Sequence, residues 1–142
     1  MAHPDLDRLF GALWEFAEKL LSEQGEFYPF GSTMNLSGEV TYTAAYDGDE
    51  YPASQTLIDL LSDIYRRQVS LKEIRAAGIC YDVRITPSGI QDITDAFCMS
   101  LEHLSWEAMN VYVPYKMLES GEIEYGEVFA TPRKPQFFAK AE

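Results

Sequence analysis

Cys80 and Cys98 are the only thiols in the chain, and His3 and His103 its only imidazoles. If Thr86 pairs with Asp92 across a Pro87–Gln91 turn, Cys80 stands opposite Cys98. Both then share the face of Asp82 and Arg84. Directly opposed residues lie about 4.5–5.5 Å apart at Cβ, longer than the ~3.8 Å mean of a disulfide. The pair therefore reads as two small buried thiols of a reducing compartment rather than a redox couple. A cysteine–histidine dyad is weaker still, because Cys98 and His103 differ by five and point to opposite faces of one strand. His103, beside Glu102, reads as a turn residue at a strand end, and His3 falls in a terminus expected to be mobile. No His-x-His, His-x-x-x-His or Cys-x-x-Cys spacing occurs, so no metal site is expected. Asp47-Gly48-Asp49-Glu50 runs into Tyr51-Pro52 instead of continuing with EF-hand ligand spacing, and reads as a solvated hairpin exit. There is no glycine-rich phosphate loop and no nucleophile elbow. No catalytic residue is assigned and no cofactor is expected.

The sharpest polar constellation is Asp82, Arg84, Ser100, Glu102, Asn110 and Tyr112. Strand parity, with Cys80 opposite Cys98, puts all six on one face of three consecutive strands, opposite Val83, Phe97 and Val111. The plainer reading is a solvated, ion-paired sheet face, which is worth little energetically. The functional reading is a binding face, with Arg84 anchoring an anion and Tyr112 supplying contact area. Asp82 with Glu102 offers a third reading, paired carboxylates for acid–base work.

These residues need a scaffold. Leu6, Leu9, Phe10, Leu13, Phe16, Ala17, Leu20 and Leu21 form one apolar helical stripe. Pro4 suits the first helical position and Gly25 the stop, predicting a helix over 4–24. Residues 27–34 read as an edge or bulged strand interrupted by Pro29 and Gly31. After the turn residues Asn35–Gly38 comes a strand over 39–46. A second helix, capped by Ser54, spans 54–69 on Leu57, Leu60, Leu61, Ile64 and Tyr65. Residues 70–78 read either as a further helical turn or as the lead into a strand. From Ile79 the alternation is extended, with Ile79, Tyr81, Val83 and Ile85 facing one way. Two more strands follow, through Ile93–His103 and Met109–Tyr115, and a last one spans 122–129.

The expected fold is therefore α+β: an antiparallel sheet of five to six strands with two amphipathic helices covering one face, in the order α-β-β-α-β-β-β-β. Residues 1–131 form one domain and 132–142 an extended C-terminal tail. This element order is similar to roadblock/longin and profilin-like domains, with a cystatin-like wrap as the alternative. The pieces Phe30-Gly31, Gly38-Glu39-Val40, Ile79–Arg84, Leu101-Glu102-His103, Pro114-Tyr115 and Gly121–Glu127 resemble a family of small acidic bacterial single-domain proteins with no assigned activity. That resemblance implies a bacterial, cytoplasmic origin and carries no site residue with it.

Composition narrows the function. The 142 residues are 46% hydrophobic and carry a net charge of −12, which disfavours nucleic acid and anionic membranes as partners. No basic n-region or apolar h-region opens the chain, so no secretory signal is expected. The charge is segmented: −10 over residues 1–65, +3 over 66–84, −7 over 85–132 and +2 over 133–142. The basic band reads as an internal complement to the acidic segments, or alternatively as an anion site. The leading expectation is a non-enzymatic acidic interaction domain, on the pattern of immunity proteins that neutralise a cationic partner. A small-ligand binder or small enzyme using Asp82, Arg84 and Glu102 is the alternative. A third is a homo-oligomer joined through an edge strand or through Phe27–Phe30.

Overall fold

The computed structural model describes residues 3–45, 48–50, 52–86 and 93–138. Asp47 of the acidic turn and the whole Pro87–Gln91 turn lie outside them. The elements are α1 (Pro4–Gln24), β1 (Phe30–Asn35), β2 (Val40–Ala44), α2 (Ser54–Ser70), β3 (Ile74–Ile85), β4 (Thr94–His103), β5 (Ala108–Met117), β6 (Ile123–Tyr125) and β7 (Phe129–Pro132). The α+β class and its element order are those the sequence predicts. The sheet is antiparallel, in the order β2-β1-β3-β4-β5-β6, with β7 also on β5. Residues 70–78 resolve as a turn after α2 and then the start of β3. No helix among the described residues is long and apolar enough to cross a membrane.

The sheet has seven strands where five to six are expected: the predicted last strand, 122–129, gives β6, and a further strand, β7, begins at its end and takes in residues read as the start of the tail. Tyr115 pairs with Tyr125 and Tyr112 with Phe129, so the register slips by one residue between the two pairings. Pro114 sits at the break, where a strand residue without an N–H is tolerated, and the Gly126 N–H donates to its carbonyl at 2.9 Å. The extra residue on one side is a bulge, and it turns β7 against the first half of β5.

Two expectations about the layers fail. The helices cover opposite faces instead of one. Leu9, Leu13 and Ala17 of α1 pack with Met34, Ala76, Cys80, Phe97, Met99 and Val113. On the other face, Leu61 and Tyr65 of α2 pack with Ala77, Ile79, Phe137 and Phe138. The register of β3 against β4 is also one residue from the predicted one: Cys80 pairs with Met99 and Tyr81 with Cys98. A slip of one exchanges the faces of an entire strand, so Cys80 and Cys98 lie on opposite sides of the sheet. The packing of α1 explains this choice. Ala76, Gly78 and Cys80 make a shallow groove on one side of β3, and a β-carbon on Gly78 would come within 2.7 Å of Leu101 Cδ2 and 2.8 Å of Leu13 Cδ1. The small residues of β3 therefore face the large ones of β4, with α1 seated over both.

The C-terminal segment is extended through Pro135 and then docks. Phe137 and Phe138 are buried beneath α2, and the Phe137 ring meets that of Tyr65 edge-on at 5.6 Å. In the segment 27–30 the rings of Phe27 and Phe30 are buried in the core, and that of Tyr28 is exposed.

Candidate functional site

The six predicted site residues divide between the two faces. Ser100, Glu102, Asn110 and Tyr112 share the face of α2. Asp82 and Arg84 lie on the face of α1, because of the one-residue difference in register. No site can combine Asp82, Arg84 and Glu102.

On the α2 face, Glu102 is fully buried. Its Oε1 accepts the backbone N–H groups of Gln136 and Phe137 at 2.8 Å and of Phe138 at 3.3 Å. Its Oε2 lies 3.0 Å from Arg133 Nη2. Arg133 Nη1 donates to Asn110 Oδ1 at 3.3 Å, and Ser100 Oγ donates to the same oxygen at 2.8 Å. The Cys98 thiol donates to the Tyr81 hydroxyl at 3.2 Å, and the Tyr112 ring stacks on Phe129. A cleft of about 270 Å³ opens over Tyr81, Ser100, Asn110 and Arg133, walled by Ile58 of α2 and by Phe137. Burial pushes the Cys98 thiol up, against the pull of its Tyr81 and Tyr112 hydrogen bonds. Burial and the Cys98 contact push the Tyr81 phenol up to about 12. Both therefore stay protonated at neutral pH. The cleft is a neutral hydrogen-bonding surface built around one internal ion pair.

On the α1 face, Asp82, Arg84, Asp95 and Tyr115 border an open polar depression of about 760 Å³ at the end of β3. The Tyr115 hydroxyl donates to Asp82 Oδ1 at 2.8 Å. Partial burial raises the Asp82 carboxyl, Tyr115 opposes that, and Asp95 adds to it. Arg84 is largely exposed and stands 3.7 Å from Asp95, a separation and exposure at which a pair adds little.

Sequence spacing missed a third cluster, which joins the first turn of α1 to the ends of β3 and β4. The Asp5 carboxylate takes Arg75 on both oxygens, with Nε 3.0 Å from Oδ2 and Nη2 3.1 Å from Oδ1. His103 Nε2 lies 2.8 Å from Oδ2. The Ser105 N–H donates to His103 Nδ1 at 2.9 Å, which puts the neutral ring's proton on Nε2, pointing at Asp5. His3, expected in a mobile terminus, caps α1 through Nδ1 and stacks on His103 at 3.8 Å. One ligand atom each from His3, Asp5 and His103 lies within 4.8 Å of the others, the spacing of a metal centre. The donor set does not suit one: both Asp5 oxygens already hold a guanidinium, and the facing imidazole nitrogen carries a proton. The cation of this site is Arg75.

Burial raises the Asp5 carboxyl, but hydrogen bonds from His103 and Arg75 and the Arg75 charge outweigh it and hold the group below its ordinary value of 3.8. A carboxyl lowered by folding stabilises the fold above its unfolded value, and that stability is lost as pH falls through the lowered one. Asp5→Asn should therefore cost about 1–3 kcal/mol at neutral pH, because it leaves Arg75 half-buried without its carboxylate. Urea midpoints measured at pH 7 and pH 3 should show the gap between variant and parent narrowing in acid. An equal gap at both would refute the assignment.

Three cations of the basic band meet acids of the chain. Arg66 pairs with Asp63, Arg75 with Asp5 and Arg84 with Asp95. Among known proteins, no family model, no curated sequence and no solved structure matches the chain.

Proposed function

We propose that the chain is a non-enzymatic acidic interaction domain that engages a protein with a cationic surface. The observation that carries this reading is the disposition of charge. Four of the six arginines are held in ion pairs, Arg66–Asp63, Arg75–Asp5, Arg84–Asp95 and Arg133–Glu102. Each of these pairs removes one cation and one anion, so the full excess of −12 falls on the other residues. Much of it lies on the outer side of α1 and the β5–β6 hairpin, on Glu15, Glu18, Glu23, Glu122 and Glu124, all exposed. The Tyr125 hydroxyl donates to the Glu18 carboxylate and the Trp14 ring meets that of Tyr125, so helix and hairpin form one surface.

Against an enzyme stands the condition of the groups that would do chemistry. Glu102 is held by backbone N–H groups on Oε1 and by the Arg133 charge beside Oε2, both His103 nitrogens are engaged, and both thiols are raised by burial. Two buried cysteines kept as thiols suit a cytoplasmic setting, and the family resemblance favours a bacterial one.

A fixed negative surface accelerates encounter with a cation and is screened by salt. Affinity capture with the immobilised domain should retain basic proteins at low ionic strength and release them at about 0.5 M salt, where the screening length is well below 10 Å. Capture that is indifferent to salt would sink the reading.

A further inference from the structure

Strand β2 ends the sheet, and among the described residues no strand pairs with its outer side. Asn35 N donates to Glu39 O at 3.0 Å, and the partners run Thr33–Thr41 and Gly31–Thr43. In an antiparallel ladder, paired hydrogen bonds alternate along the strand. The backbone groups of residues 39, 41 and 43 therefore turn inward to β1, and those of Val40, Tyr42 and Ala44 turn outward. Exposed edges are ordinarily blunted by lysine, proline or a bulge. Val40-Thr41-Tyr42-Thr43-Ala44 contains none of these, and its register with β1 is regular.

The surroundings of this edge select an occupant. Tyr42 is tied to α1, its hydroxyl donating to Ala12 O at 3.3 Å and its ring meeting that of Phe16 at 4.9 Å. Between helix and strand runs a groove of about 440 Å³ lined by Glu15, Phe16, Glu18, Lys19, Ser22 and Tyr42. Side chains of an added strand that share the face of Tyr42 would enter this groove, where they meet two carboxylates and one ammonium. Aromatic faces and carboxylates together favour lysine or arginine. Glu39 precedes the strand and Asp49 and Glu50 follow it. A second copy of the chain would bring these same acids against its own.

We propose that β2 is a docking edge that takes up an extended, cationic segment of a partner protein as an added strand, with alternate basic residues lying in the α1–β2 groove. This rests on the acidic-interaction reading and gives it a place and a mode.

A short capped peptide alternating lysine with threonine tests it, beside the same peptide N-methylated at alternate residues, which keeps the charge and cannot complete the ladder. At low ionic strength the unmodified peptide should shift the amides of Val40, Tyr42 and Ala44 and slow their hydrogen exchange. The methylated one should bind at least about tenfold more weakly, a difference that reads the ladder directly. Ala44→Pro removes an outward N–H and leaves the β1 ladder intact; it should cause a similar loss. Glu15→Lys should weaken binding several-fold. Equal binding of the two peptides, or shifts confined to the hairpin, would overturn the docking edge while leaving the acidic-interaction reading in place. Failure of both peptides to bind would remove both. A mass by light scattering that doubles with concentration and falls back in Ala44→Pro would assign the edge to a second copy and refute the cationic occupant.

Discussion

Glu102→Ala should lower the thermal midpoint by roughly 10–20 °C. The carboxylate is fully buried and terminates three backbone N–H groups of the C-terminal segment as well as Arg133. Breaking a buried ion pair from one side costs about 3–5 kcal/mol, because the remaining partner is left desolvated. At roughly 3–5 °C per kcal/mol for a domain of this size, that gives the stated range. Glu102→Gln should fall between parent and alanine variant, since the amide oxygen still accepts the N–H groups while the charge on Arg133 loses its partner. Arg133→Met should cost less than either, because Glu102 keeps its three backbone donors. The loss should also be spatially specific: with the anchor gone, Phe137 and Phe138 detach from Tyr65 and the bond after the half-buried Arg133 becomes open to trypsin. A midpoint within about 2 °C of the parent, with unchanged cleavage after Arg133, would show that the segment is held by its aromatic side chains alone.

The same anchor shows how far the sequence can be read. The tail carries a positive balance and two prolines, which suggest an extended strap, and that much is visible. The pair Phe137-Phe138 is the readable sign of docking, since two adjacent large aromatics in a polar tail have to be covered by something. What they dock against depends on where Glu102 faces, and that depends on register. Parity within each strand was legible: Cys98, Ser100 and Glu102 do share a face, as do Cys80, Asp82 and Arg84. The relation between β3 and β4 was not, because it turns on the number of residues in the connection between them. A connection of five and one with one residue more on one side leave every local pattern unchanged and exchange the faces. What decides it is non-local, the fit of Leu13 and Leu101 over Gly78.

The helices show the same division. Leu6 through Leu21 repeat at helical spacing between Pro4 and Gly25, and α1 occupies the predicted residues. Nothing in either helix says which face of the sheet it covers. That is written in β3, whose small residues Ala76, Gly78 and Cys80 receive α1 while Ala77 and Ile79 meet α2. The Asp5–Arg75–His103 cluster was invisible for a related reason. Its members come from three elements, and no sequence interval joins them.

Gly31→Ala should be the most damaging conservative substitution in β1. The glycine has an ordinary strand conformation and its role is space. A β-carbon there would overlap the Tyr65 hydroxyl, lie 2.8 Å from Tyr65 Cζ and come within 2.8 Å of the Gly78 carbonyl oxygen. The carbonyl belongs to the central strand and cannot yield without disturbing the β1–β3 ladder. Tyr65 is fully buried and wedged against Phe137, so it can yield only if α2 lifts. Forcing one methyl into a filled site costs about 1–3 kcal/mol and occasionally more, and the upper end is expected because neither neighbour is a free side-chain end. Tyr65→Phe separates the causes. It removes the closest atom, and that hydroxyl faces the Thr43 side chain without a well-formed hydrogen bond, so alone it should change stability little. In the Phe background, Gly31→Ala should cost less than in the parent by about 1 kcal/mol or more, a coupling within the range for residues in contact. Urea midpoints of the four proteins give that coupling. Strict additivity would place the cost at the Gly78 carbonyl, in the sheet itself, and would mean that α2 rides over β1 with room to spare.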